Sequence, residues 1–174
     1  SSFTNNEKNV VIGDDAFKTA SDGENNNVVI GASAGDSINS SGCDNNVIIG
    51  MEAGKTGTGS MSHNVVIGRD AMKSIGSSSQ TGTVAIGSSA LTTLTSGEKN
   101  TAVGYQALMN EDDGDFNTAV GYQALSNQEG RTGTVNNTAL GFKAGYAVTT
   151  AFDVTLLGSN AGVALTEGNG NTAV

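Results

Sequence analysis

Three apolar or small residues followed by a glycine recur along the whole sequence, from Val10-Val11-Ile12-Gly13 and Val28-Val29-Ile30-Gly31 to Thr155-Leu156-Leu157-Gly158. The glycines are Gly13, Gly31, Gly50, Gly68, Gly87, Gly104, Gly121, Gly141 and Gly158, each directly after Ile, Val or Leu, at intervals of 18, 19, 18, 19, 17, 17, 20 and 17 residues. Three positions after each stands an alanine, from Ala16 and Ala34 to Ala144 and Ala161. Four positions before stands an asparagine, in Asn9, Asn27, Asn46, Asn64, Asn100, Asn117 and Asn137, with Thr83 and Val154 as departures; Asn171 opens a further copy. A second glycine usually precedes the asparagine by three to five residues, so each copy carries two turn signals.

A period near 18 is too short for two packed helices and their connections, and β-branched residues with frequent Gly and Asn disfavour helix. The pattern predicts short strands stacked coil upon coil: an all-β parallel β-solenoid over 1–174, a single array of about nine coils and a segment of a longer fibre. At roughly 4.8 Å per coil the rod is on the order of 45 Å long. Gly and Asn suit corners, where positive φ is required. Stacked Asn side chains are expected to bond amide to amide.

A strand with three apolar positions implies burial on both faces. Positions one and three before the glycine are expected to fill the coil, together with the following alanine. The middle position, Val11, Val29, Ile48, Val66, Ala85, Ala102, Ala119, Ala139 and Leu156, is then left outside, and its continuous apolar stripe calls for sister chains.

The segments Asn100–Leu108 and Asn117–Leu125 are both NTAVGYQAL, followed by NTALGFKAG from Asn137 and NTAV from Asn171. They resemble the repeats of phage and viral tail fibres, while NVVIG and TVAIG are similar to the head repeats of trimeric autotransporter adhesins. The resemblance implies a left-handed parallel β-roll with three chains side by side. This sequence departs from the adhesin heads in its longer copies and in an Asn one position closer to the glycine.

Composition narrows the partners. A net charge of −9 opposes a phosphate-binding surface, so neither nucleic acid nor an anionic membrane is an expected partner. Apolar runs of a few residues are too short to span a bilayer as a helix. The single cysteine, Cys43, reads as an inert thiol.

Chemistry is sparse: no catalytic residue, metal ligand or cofactor site is assigned. His63 reads as an exposed turn residue. Glu111, Asp112, Asp113 and Asp115 gather oxygen ligands of the kind calcium takes, but without EF-hand spacing, and read as a solvated loop. Tyr105, Tyr122 and Phe142 each follow a repeat glycine and should line one edge of the rod, either as a structural stack or as a stripe that contacts glycan. Asn39 and Asn136 open N-glycosylation acceptor patterns.

The expectation is therefore a non-enzymatic, extracellular fibre segment of a virion tail or cell-surface appendage. It associates with itself as a homotrimer, extends end to end, and reaches a cell-surface glycan or receptor. A bacterial or algal adhesin fibre is the nearest alternative; a polysaccharide depolymerase and an ice-binding solenoid are more distant ones. The ice reading rests on the aligned Thr101, Thr118, Thr138 and Thr155, which this face assignment turns inward.

Overall fold

The computed structural model describes residues 7–20, 23–36, 38, 42–55, 57–129 and 132–174. Among them the strands, in chain order, are β1 (Val10–Ile12), β2 (Val28–Ile30), β3 (Val47–Ile49), β4 (Met61–Ser62), β5 (Val65–Ile67), β6 (Gln80–Thr81), β7 (Val84–Ile86), β8 (Thr101–Val103), β9 (Gly114–Asp115), β10 (Thr118–Val120), β11 (Gly133–Thr134), β12 (Thr138–Leu140), β13 (Thr155–Leu157) and β14 (Thr172–Ala173). Each run before a repeat glycine forms one rung of a single parallel sheet in the order β1-β2-β3-β5-β7-β8-β10-β12-β13-β14. The register never slips, pairing Val29 with Ile48, Ala102 with Ala119 and Ala139 with Leu156. The chain is a parallel β-solenoid. On the wall opposite, two short parallel pairs, β4 with β6 and β9 with β11, continue the stacking where loop lengths permit.

The repeat glycines make the first corner. Their φ lies between 126° and 140°, a region that L side chains rarely adopt. A Cβ at Gly31 would sit 2.5 Å from the carbonyl oxygen of Gly50 in the next coil, and the same approach repeats up the column to Gly141. Glycine is thus demanded twice, by dihedral and by space. Beyond this corner the alanine N–H bonds back to the glycine carbonyl of its own coil, as from Ala107 to Gly104 at 3.3 Å. From Ala34 to Ala144 these alanines are completely buried.

The two faces of the sheet are the reverse of the sequence expectation. The middle residue of each rung points into its own coil: Val29, Ile48, Val66, Ala85, Ala102, Ala119, Ala139 and Leu156 are 0–1% exposed. Positions one and three before the glycine point outward, half-buried in the middle of the rod and exposed at Val10, Ile12, Leu140 and Leu157. The physical reason lies in the next corner. Middle residue and alanine face each other across the coil, and the residue after the alanine completes the layer. Large and small alternate between these sites. Ile48 packs over Gly54, where a Cβ would lie 3.6 Å from its Cγ2, whereas Ala85, Ala102 and Ala119 are matched by buried Leu91, Leu108 and Leu125. At Gly145, a Cβ would come within 2.7 Å of both Leu125 and Leu156, which lean in from the coils on either side.

Asparagine has a different role from the one expected. Positive φ at the second corner is taken by the residue before it, Asn26, Asn45, His63, Lys99, Phe116, Asn136 and Asp153 among them, all exposed. The ladder Asn itself is buried from Asn27 to Asn137. Its Oδ1 accepts the N–H of the equivalent residue one coil on, as from Asn46 to Asn27, Asn117 to Asn100 and Val154 to Asn137. Its Nδ2 crosses the coil to a carbonyl on the opposite wall, as from Asn46 to Met61 at 2.7 Å and from Asn100 to Gly114 at 2.7 Å. The ladder runs amide to backbone; amide to amide, it is seen between Asn46 and Asn27. One side chain therefore ties two coils and two walls while leaving none of its own polar atoms idle.

Candidate functional site

The outward face belongs to the ten-rung sheet, the largest sheet among the described residues. One file reads Val10, Val28, Val47, Val65 and Val84, then Thr101, Thr118, Thr138, Thr155 and Thr172. The other reads Ile12, Ile30, Ile49, Ile67 and Ile86, then Val103, Val120, Leu140 and Leu157. Strand register holds all of them in two straight rows. The Thr row that the sequence reading turned inward is thus outside. Its hydroxyls bond to no other described residue, whereas Thr92, Thr93, Thr95 and Thr149, away from this face, cap backbone carbonyls.

Tyr105, Tyr122 and Phe142 line the neighbouring edge, as their spacing predicted. Their rings stack at 5.3 Å and 5.4 Å between centroids with interplanar angles of 15° and 14°, and each ring is nearly half exposed. Gln123 donates to Gln106 beside them at 2.7 Å. Stacking turns the ring faces onto one another, so edges rather than faces are offered outward, a poor platform for a sugar ring. Tyr146 lies off this row, under the Lys143 ammonium at 5.0 Å.

The acidic cluster disperses. Asp113 accepts from the Thr95 and Ser96 hydroxyls, and Asp115 accepts from the Glu98 N–H, each serving the preceding coil. Glu111 turns inside and is fully buried, in a row otherwise occupied by Ile38, Ile75, Leu94 and Val148. Its carboxylate accepts from the N–H groups of Gly114 and Asp113 and from Gln128, whose own Oε1 accepts from Asn137. Burial pushes this carboxyl above its ordinary range, opposed by those hydrogen bonds. The sequence reading missed it; the signal was an acid and a glutamine at the seventh position after Gly104 and Gly121, where most other copies carry an aliphatic residue.

Ion pairs cluster on the corner of the N-terminal half. Lys73 bridges Glu52 at 2.6 Å and Asp70 at 3.0 Å, and Lys55 holds Glu52 from the other side at 2.6 Å. The bonds from Lys55 and Lys73 lower the Glu52 carboxyl to about 2. His63 is an exposed corner residue, 3.5 Å from the Asn45 amide. Asn136 is exposed and bonds to Asp153; Asn39 lies outside the described residues. No group of three His, Cys, Asp or Glu side chains among the described residues is placed to hold a metal ion. Among them, too, no helix is long and apolar enough to cross a membrane. Neither family models, curated proteins nor solved structures give a match to this chain.

Proposed function

We propose that this chain is a non-enzymatic structural segment of an extracellular fibre, a virion tail shaft or surface appendage, in which three copies associate side by side. The observation that carries the reading is the outward face of the sheet, a double row of Val and Ile over five rungs continued by a row of Val and Leu beside Thr. A face this long and apolar is one that soluble monomers avoid, and a matching face on a sister chain covers it. With the faces exchanged, Val28, Ile49 and Ile67 take the place of Ala102 and Ala119 on the face offered to sister chains. Stiffness follows from stacked backbone ladders, and specificity for a glycan or receptor is left to the loops between alanine and the next asparagine.

Sedimentation of the native chain should give the mass of three copies at micromolar concentration. Ile67→Asp, outward and at mid-rod, should give folded monomers with an unchanged circular dichroism spectrum. A native chain that sediments as a monomer removes the fibre reading. The outward Thr row favours a second reading, an ice-binding face, and inhibition of ice recrystallisation by a monomeric chain would select it.

A further inference from the structure

A rod of near-identical rungs has a problem that the fibre reading creates and the outward face answers. If every rung were Val-x-Ile, two copies could pack one rung out of step, or head to tail, with almost the same contacts, because the repeat along the axis is only one strand spacing, ~4.8 Å. The face is not uniform. Its first row is Val through Val84 and Thr from Thr101 onward, and the change falls at the midpoint of the ten-rung sheet, between two directly paired strands. Val and Thr have nearly the same shape, so the change adds a hydroxyl without altering the packing outline.

We infer that this Val-to-Thr step is a register and polarity key between copies of this chain. The inference rests on the fibre reading above. In a parallel, in-step arrangement each Thr hydroxyl meets the hydroxyls of the neighbouring copies, which can donate and accept among themselves, and each Val meets Val. A one-rung slip sets a hydroxyl against a Val methyl, and a head-to-tail arrangement sets every Thr against a Val. A hydroxyl held against apolar surface without a partner is costly, and these hydroxyls bond to no other described residue that could replace one. A polar residue among apolar ones acts in the same way in coiled coils, fixing register.

The test measures where copies lie along one another. Asp14→Cys and Asn160→Cys mark exposed corners near opposite ends of the rod, and Cys43, fully buried, is left in place. The two variants carry orthogonal spin labels, are mixed with unlabelled chain, and the distance between unlike labels is recorded by pulsed electron resonance. The native face should give one long distance. The variant with Thr101, Thr118, Thr138, Thr155 and Thr172 all changed to Val should remain associated but show a ladder of distances differing by about one strand spacing, ~4.8 Å, together with a short distance from head-to-tail pairs. Associated chains that keep the single native distance in the all-Val variant overturn the key and leave the fibre reading standing. A native chain that is monomeric overturns both.

Discussion

Two stretches of the rod, one on the N-terminal side and one on the C-terminal side of its middle, share one backbone plan and fill it with opposite choices. In β2 and β3 the inward residue is Val29 or Ile48, and the corner opposite is glycine at Gly35 and Gly54, while β5 sets Val66 against buried Met72. In β7, β8 and β10 it is Ala85, Ala102 or Ala119, and the corner carries leucine. Outside, Val gives way to Thr one rung later, between β7 and β8. Between these two stretches interior volume is conserved by exchange across the coil, while the outer change conserves shape and alters polarity. A repeat protein can thus vary either side of a strand independently, provided each side keeps its own rule.

Ways to break this comparison differ in expected size. Both halves depend equally on the glycine column, so Gly50→Val and Gly104→Val should each cost on the order of 4 kcal/mol or more, since the dihedral and the neighbouring carbonyl both forbid a side chain. Thermal melting that left either variant like the parent would remove the shared plan. Inside the coil, Ala102→Val should cost ~1–3 kcal/mol against Leu108, and adding Leu108→Ala should recover part of that loss. Denaturant titration would show simple additivity of the two changes if volume exchange were absent. Ala102→Asp, at a position the sequence pattern placed between sister chains and the structure places inside the coil, should unfold the single chain. The smallest effect is electrostatic and confined to one half. Glu52 is held at about 2, below its ordinary 4.5, so its ion pairs stabilise above that ordinary value and are lost as pH falls toward 2. Amide exchange should quicken at Met51–Lys73 on acidification before it does at Tyr105–Lys143, and high salt should blunt the difference.

Much of this was legible in the sequence: the repeat glycines, the strands before them, the buried alanines and the aromatic row all stand where spacing put them. The choice of inner face was not, because a three-residue strand that is apolar throughout offers no alternation to read. The discriminating signal was subtler. In several copies the middle position and the residue four after the glycine exchange size, Ile48 with Gly54 and Ala102 with Leu108, as partners in one core do. The flanking position gains a hydroxyl at Thr101, which an interior would have to satisfy. Asparagine was misplaced for a related reason. Its tolerance of positive φ suggested the corner, whereas its four hydrogen-bonding sites suit the buried seat beside it, and the exposed corner accepts residues as unlike as His63 and Phe116.

The missing asparagine at Thr83 gives the rod a place to part. Tension along a solenoid is borne by coil interfaces arranged in series, each a set of hydrogen bonds loaded together, so strength is that of the weakest interface rather than the average. Between β2 and β5 and from β8 to β13 each interface carries a buried amide whose Oδ1 takes an N–H from the next coil. Two interfaces lack it: β13 with β14, near the end of the rod, where Val154 stands, and β7 with β8 at mid-rod, where Thr83 has a buried hydroxyl that finds no partner among the described residues. Under load the opening should begin there and spread outward, dividing the rod where Val gives way to Thr and leaving two intact stubs that can close again.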